Sequence, residues 1–150
     1  AYDYVTSDFS PLYPFGYGLS YTTFSYSDLV IAPETISPAA HVTVQVTVSN
    51  TGDRAGDEVV QLYVNDVISS VVTPVIELKA FKRVSLAPGE SKAVTFELGP
   101  KDLELLDKHL EPVVEPGTFE VKVGGLEGTF GVVEPPYITY ERRPMGPQGE

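Results

Sequence analysis

The sequence contains no cysteine, few basic residues and no long apolar run. The absence of cysteine excludes disulfide bonds, thiolate metal sites and cysteine nucleophiles. A membrane-spanning helix needs about 20 consecutive apolar residues, and nothing in this chain approaches that length. The first residues also lack the basic segment followed by an apolar segment that is typical of a signal peptide. The sequence therefore predicts no membrane partner.

Positive charge is scarce as well. Ten lysine and arginine residues are scattered among 21 acidic residues, which gives a formal net charge of −11. A nucleic-acid-binding surface needs clustered basic side chains to displace counterions from the phosphates. We therefore predict no nucleic-acid partner, and we interpret the negative charge as a source of solubility.

What the chain does have is 13 glycines and 13 prolines, mostly between apolar runs that alternate with a period of two. In residues 41–50 the four valines at even positions face one side and the polar residues face the other, as in a half-buried antiparallel strand. Similar patterns predict about seven strands at intervals of roughly 8–12 residues. The predicted strands are residues 23–31, 41–50, 58–65, 79–86, 90–98, 118–123 and 128–133. This pattern predicts an all-β protein with an antiparallel β-sandwich fold.

Two internal segments depart from the alternation. Residues 100–107 begin with a proline and place Leu103 and Leu106 three residues apart, which predicts one or two helical turns. Residues 67–76 form a long connection for so small a sandwich, and we expect them to extend toward a neighbouring domain.

The two ends of the chain differ from its centre. Residues 1–21, here called the strap, are rich in tyrosine, phenylalanine, proline and glycine and have no period. Residues 134–150 have the composition of a tail or linker. We therefore predict three parts: the strap at 1–21, a β-sandwich at 22–133 and a C-terminal tail at 134–150. Because so many rings are costly to leave in water, we expect the strap to pack against this domain or a neighbour.

Several motifs, taken in order, give the chain a family resemblance. They are LYPFGYGLSYTTF at 12–24, VTVSNTG at 46–52, GDEVVQLYV at 56–64, ELKAFKRV at 77–84, LAPGES at 86–91 and VEPG at 114–117. Together they resemble the C-terminal fibronectin type III-like domain of glycoside hydrolase family 3 enzymes, over residues 9–133. The resemblance implies an immunoglobulin/fibronectin type III-like sandwich, preceded by the segment that joins it to an α/β-sandwich domain.

The same resemblance implies what this chain does and does not do. Members of the family are β-glucosidases, β-xylosidases and related exo-acting, retaining enzymes, whose two catalytic carboxyl groups lie on other domains. We therefore predict no catalytic residue, no cofactor and no metal in this chain. Its expected role is that of an accessory domain that docks onto the catalytic domains of the parent enzyme and stabilises them. A secreted or periplasmic parent fits this resemblance.

Tyr13, Phe15, Tyr17 and Tyr21 are the candidate site residues. In an irregular segment fixed by prolines, their rings are expected to pack against the missing catalytic domains. The alternative is that they bind a polysaccharide or another plant-wall polymer, since aromatic faces stack on sugar rings. We keep this polymer-binding role as the second hypothesis.

The remaining polar candidates are interpreted as surface residues. His41 opens a strand without a nucleophile near it in the sequence, and Lys108 and His109 fall in a predicted turn. One acidic group could supply a catalytic carboxylate pair but is interpreted as a solvated face: Asp102, Glu104, Asp107 and Glu111. A second could bind calcium through loop oxygens but lacks the spacing of a dedicated calcium loop: Asp53, Asp57, Glu58 and Asp66.

Overall fold

The computed structural model describes residues 18, 20–67 and 76–134. These residues form ten strands and one short helix. The elements are β1 (Phe24–Ala32), β2 (Thr35–Ile36), β3 (Val42–Asn50), β4 (Gly56–Asp66), β5 (Glu77–Leu86), β6 (Ser91–Leu98), α1 (Pro100–Leu103), β7 (Leu105–Leu106), β8 (Pro112–Val113), β9 (Gly117–Val123) and β10 (Leu126–Val132). Seven of the strands are long, and they correspond to the seven that the sequence predicted.

Two sheets make up the sandwich. One has three strands in the order β1-β3-β6, and the other has five in the order β2-β10-β9-β4-β5. All pairings among the long strands are antiparallel, and only the two-residue strand β2 pairs in parallel, with the end of β10. A two-stranded ladder of β7 and β8 lies outside these sheets. The prediction of an all-β antiparallel sandwich is confirmed.

The core lies between the two sheets and follows from the alternation. Val42, Val44, Val46 and Val48 are fully buried on β3, while Thr43 and Gln45 between them are exposed. The five-stranded sheet supplies the opposite layer with these buried side chains: Val60, Leu62, Val64, Leu86, Phe119, Val121, Val123, Phe130 and Val132. Phe119 and Phe130 face each other across β9 and β10 with ring centroids 5.4 Å apart. The apolar residues that recur at every second position of the sequence therefore form a single hydrophobic layer between the two sheets.

The prediction of helical turns over residues 100–107 is only half correct. α1 ends at Leu103, because Glu104 adopts an extended backbone (φ −69°, ψ 144°) and the chain continues as β7. Leu103 is buried under the sandwich, whereas Leu106 is 57% exposed and pairs with Pro112 instead. The spacing of the two leucines therefore did not indicate a shared helical face, because Leu106 pairs with β8 and adopts an extended conformation.

β1 carries an irregularity that the sequence did not reveal. Its register with β3 shifts between Ser27 and Val30, and Asp28 in the shift has a positive φ of 54°. After this bulge, Leu29 and Ile31 pack partly buried against the core near β10. The bulge lets one strand close the edge of the sandwich where the two sheets meet.

Among the described ranges, no helix is long or apolar enough to cross a lipid bilayer.

Candidate functional site

Of the four candidate residues in the strap, only Tyr21 lies in the described part of the chain. Its side chain is 97% exposed. Tyr13, Phe15 and Tyr17 lie outside the described residues, and so does most of the connection at 67–76. Their contacts with a neighbouring domain or a polymer therefore stay a prediction.

The chain is held firmly at the residue after Tyr21. The Thr22 hydroxyl donates a hydrogen bond of 2.8 Å to Asn50 Oδ1, and both side chains are buried. The next residue is fixed through its backbone, because the Thr51 N–H donates to the Thr23 carbonyl at 2.9 Å. Thr22 therefore anchors the chain where it enters the sandwich.

Asn50 is the centre of this strap anchor. Its Oδ1 also accepts a bond of 3.0 Å from the Gly52 N–H, while its Nδ2 donates to the carbonyls of Arg54 (2.7 Å) and Leu86 (3.0 Å). The amide thus uses both of its donors and accepts two bonds. Because Asn50 ends β3 and Leu86 ends β5, one buried side chain joins the two sheets at the end where the strap enters.

Gly52 is required by the close approach of Thr22. A Cβ atom at position 52 would lie 2.1 Å from Thr22 Oγ1, a distance that no side chain can occupy. The motif VTVSNTG is therefore explained by its geometry: the asparagine supplies the bonds and the glycine leaves room for the threonine. The sequence alone does not reveal this arrangement, because Thr22, the partner of Asn50, lies 28 residues away.

A second contact between the sheets lies close to the anchor. The Tyr26 hydroxyl, from β1, donates a hydrogen bond of 2.6 Å to Glu58 Oε1, from β4. The Tyr26 ring covers Gly124 so closely that a Cβ there would lie 2.2 Å from the ring. Burial, followed by the bond to Glu58 and the charge of that carboxylate, raises the pKa of the Tyr26 phenol. The phenol is thus held in its neutral, donating form.

The carboxylates considered for catalysis hold their own loops. Asp102 accepts a bond of 2.8 Å from the Gly99 N–H at the start of α1. Asp107 accepts bonds from the N–H groups of His109 (2.7 Å) and Glu111 (3.0 Å) in the loop between β7 and β8. Asp102 and Asp107 therefore act as local caps of turns, while Glu104 and Glu111 are exposed to solvent.

Of the acidic residues considered for calcium, Asp57 and Glu58 are bonded to side chains of other strands. The Asp57 carboxylate bonds to Ser85 and Arg83, and these two bonds, that of Ser85 first, lower its pKa. Glu58 accepts from Tyr26, and Asp53 lies on the surface beside Arg54. Within residues 20–67 and 76–134, no group of three or more histidine or acidic side chains is placed to hold a metal ion.

The two histidines lie in different surroundings. His41 precedes β3, and its imidazole lies against Gly99, where a Cβ would approach the ring to 2.8 Å. His109 is exposed in the turn before β8, as is Lys108.

A shallow groove of about 490 Å³ runs along β10 beside the bulged part of β1. Leu29 and Ile31 form its apolar wall, and Glu34 and Glu127 bring two carboxylates to it. The one ring in its lining, that of Phe130, is buried in the core. The groove therefore offers hydrogen bonds but no exposed ring on which a sugar could stack.

Comparison with known proteins agrees with this architecture. Residues 58–126 match the family model of the fibronectin type III-like domain. The chain contains a fibronectin type III-like domain. The resemblance drawn from the sequence motifs is confirmed. The strap anchor of Thr22, Asn50 and Gly52 lies before the first matched residue, Glu58.

The curated relatives of this fibronectin type III-like domain are much longer proteins. The chain is 50% identical over 121 residues to a β-xylosidase of Formosa agariphila, which covers 81% of the chain but 17% of the relative. It is 46% identical over 137 residues to the β-glucosidase BoGH3A of Bacteroides ovatus, covering 90% of the chain and 18% of that enzyme. The chain thus spans about a sixth of the length of the curated relatives it matches.

Solved structures extend the likeness to three dimensions. A β-glucosidase from Erythrobacter marinus superposes with a TM-score of 0.79 at 44% identity, covering 87% of this chain and 18% of the enzyme. A β-glucosidase from Listeria innocua solved with isofagomine gives a TM-score of 0.71 at 41% identity, covering 87% of this chain and 19% of that enzyme. The fibronectin type III-like domain therefore recurs as a small part of larger β-glucosidases.

Proposed function

We propose that this chain is a non-catalytic accessory domain of a family 3 glycoside hydrolase, and that it docks onto the catalytic domains of its parent and stabilises them. The observation that carries this proposal is the ratio of coverages: the β-xylosidase match takes in 81% of the chain and 17% of the relative. A segment of that size supplies one domain of a multidomain protein. The parent is proposed to be a retaining, exo-acting β-glucosidase or β-xylosidase.

The strap anchor supports a docking role. Thr22 is buried by Asn50, whereas the preceding residue, Tyr21, is 97% exposed. A buried residue and a fully exposed one are therefore neighbours at the boundary between the domain and the strap. A neighbour that binds Tyr13, Phe15 and Tyr17 would therefore lie close to the end of the sandwich at which Thr22 and Asn50 are bonded.

The carboxylates of the described residues support a non-catalytic role. A retaining glycosidase needs two carboxyl groups about 5–5.5 Å apart across the sugar, one of them with a raised pKa. Here Asp102 and Asp107 cap turns, and the pKa of Asp57 is lowered rather than raised. In the proposed parent the reaction takes place on other domains, and this domain contributes to their stability.

The test measures association with the catalytic part of the parent. The chain and the remaining polypeptide of the parent are expressed as separate pieces and mixed, and we expect them to co-purify and to raise the melting temperature of the catalytic piece. Tyr17→Ala combined with Tyr21→Ala should weaken the association by about tenfold or more, which corresponds to about 1.4 kcal/mol. Association that fails to form, or a melting temperature that does not change, would overturn the proposal.

The matched control uses tyrosines of the C-terminal tail. Tyr137→Ala combined with Tyr140→Ala removes the same two rings from a segment that is not part of the strap. We expect this double variant to associate like the unchanged chain. Equal weakening by both double variants would mean that the strap has no special role.

The full exposure of Tyr21 favours a second candidate function, the binding of a plant-wall polymer. In that case the chain alone should be retained on cellulose, xylan or lignin, and alanine substitutions in residues 13–21 should release it. Hydrolysis of aryl glycosides by the purified chain alone would contradict both functions.

A further inference from the structure

The outer face of the five-stranded sheet carries an apolar stripe. On this face Gln61 pairs with Phe81 and Tyr63 pairs with Leu78, across the antiparallel strands β4 and β5. Phe81 is 68% exposed and Leu78 is 50% exposed, and Val59, two residues before Gln61, is 44% exposed. Diagonal neighbours in such a pair lie about 7–8 Å apart, so these side chains are in reach of one another. We call Val59, Tyr63, Leu78 and Phe81 the β4–β5 stripe.

Charged side chains border the stripe but are paired with each other. At one end Arg83 bonds to Asp57. On the β9 side Lys122 lies 2.6 Å from Glu127 and 3.6 Å from Glu120. Both basic side chains are thus paired within the domain, and the second carboxylate at Lys122 leaves this border with a single net negative charge. Shape and apolar contact, rather than net charge, would hold a partner.

β5 is also the edge strand of its sheet, and within the described residues no further strand pairs with its outer side. Natural edges are often protected by lysines that point into solvent. Here Lys82 turns back to the Thr95 carbonyl at 2.5 Å, and Lys79 pairs with Glu77. Arg83 is a charged side chain of this ten-residue strand that stays largely exposed, at 71%, and the apolar stripe lies beside it. Contiguous patches of this kind mark contact surfaces, unlike single exposed residues.

We propose that the β4–β5 stripe is the surface through which this domain contacts the catalytic part of its own polypeptide. This inference rests on the accessory function proposed above and adds the contacting face. The match to relatives about five times as long as this chain places such a partner on the same polypeptide, where tethering gives an effective concentration in the millimolar range. A second copy is disfavoured, because two chains of net charge −11 repel each other.

Site-specific alkylation tests the assignment, since the chain contains no cysteine of its own. Phe81→Cys places a thiol on the stripe, and the matched control Thr95→Cys places one at an exposed position in the middle of β6, on the opposite outer face. Each variant is made in the isolated chain and in the full-length polypeptide that carries the domain. The alkylated peptide is quantified by mass spectrometry.

In the isolated chain we expect both thiols to react quickly. In the full-length protein we expect the alkylation rate of the thiol at position 81 to fall by about tenfold or more relative to the isolated chain. The alkylation rate of the thiol at position 95 should stay the same. Equal rates at both positions of the full-length protein would overturn the proposal. Slow alkylation of position 81 in the isolated chain would also overturn the proposal. If the alkylation slows as the protein concentration rises, the partner is a second copy; if it slows when xylan is added, the partner is a polymer.

Deletion of residues 22–133 from the full-length protein separates the two proposals. If the deletion leaves the melting temperature of the catalytic part unchanged, the accessory function is wrong. If the deletion lowers the melting temperature while the thiol at position 81 remains fully reactive, the function stands and only the assignment of the β4–β5 stripe is wrong. A circular dichroism spectrum of the isolated Phe81→Cys chain checks that the sandwich still folds.

Discussion

The two outer faces of the sandwich are built by strands with the same alternation, but they carry different side chains. The outer face of the three-stranded sheet carries mostly hydroxyl-bearing and small side chains: Ser25, Ser27, Ala32, Thr43, Thr47, Ser49, Ser91, Ala93 and Thr95. Val30 and Gln45 are larger side chains on the same face. The five-stranded sheet presents the β4–β5 stripe with its border of ion pairs. One face is suited to water, and the other has the composition of a contact surface.

The difference cannot come from the needs of the core. Both sheets bury the same kind of inner layer, with Val46 on one side and Leu62 on the other fully buried. An apolar residue on the outer face adds little to the stability of an isolated domain, since it stays in water. Phe81 and Leu78 are therefore better explained by a partner than by the fold.

The largest effect is expected for the inner face of β4. Leu62→Ala removes a fully buried side chain, and we expect it to lower the free energy of unfolding by about 2–5 kcal/mol, because a cavity remains in the core. Phe81→Ala, on the outer face of the neighbouring strand, should change it by less than about 0.5 kcal/mol in the isolated chain. Urea unfolding measures both. If the two variants cost the same, the stripe belongs to the domain's own core.

The next effect concerns the anchor that joins the two sheets. Asn50→Ala leaves the Leu86 and Arg54 carbonyls without their donor, and we expect it to lower the free energy of unfolding by about 1–3 kcal/mol. Ser49→Ala, one residue earlier, loses only the surface bond to Ser91 and should cost less than about 0.5 kcal/mol. Thermal unfolding of the two variants would show equal shifts if Asn50 were only a turn residue.

A smaller effect is expected for the bond between Tyr26 of one sheet and Glu58 of the other. Tyr26→Phe should cost about 0.5–1.5 kcal/mol at neutral pH, the usual contribution of one hydrogen bond. Folding raises the pKa of the phenol above its usual value of 10.0. Its contribution is therefore complete below pH 10.0 and is lost as the pH rises above that value. Urea midpoints should fall less steeply at alkaline pH for Tyr26→Phe, and an unchanged slope would contradict this role.

The smallest effect is expected at the border of the stripe. The pKa of the Asp57 carboxyl is lowered from its usual value of 3.8, so its contribution to stability is present above that pH and is lost as the pH falls through the folded-state value. Asp57→Asn should therefore reduce the loss of stability between neutral pH and about pH 3. The control Glu97→Gln changes a carboxylate on the other outer face. A larger effect of the control would mean that the Asp57 bonds contribute nothing.

The alternating strands were predictable from the sequence because burial on one face and exposure on the other repeat every two residues. Val94, Phe96 and Leu98 on β6 are all buried, as their spacing predicts. The prediction failed where a local pattern competed with tertiary pairing. Leu106 lies in a short ladder with β8 instead of a helix, and the two-residue strand β2 is defined only by its contact with β10.

The candidate site was less predictable. The strap can be recognised in the sequence by its many aromatic residues. The sequence does not show which molecule or domain Tyr21 and Phe15 contact. The strap anchor went unrecognised because Thr22 and Asn50 are 28 residues apart and both look like ordinary polar residues. The β4–β5 stripe was missed for a related reason: Phe81 in β5 looks like any strand residue until its register with Gln61 shows which way it points.

The sequence by itself determined the class of fold, the order of the long strands and the family resemblance, because alternation, turn residues and ordered motifs are properties of neighbours along the chain. Only the tertiary structure decided which sheet each strand joins, which polar residues are buried and which apolar residues remain in water. Those outcomes depend on contacts between distant segments, such as Thr22 with Asn50 and Tyr26 with Glu58, which no local pattern encodes.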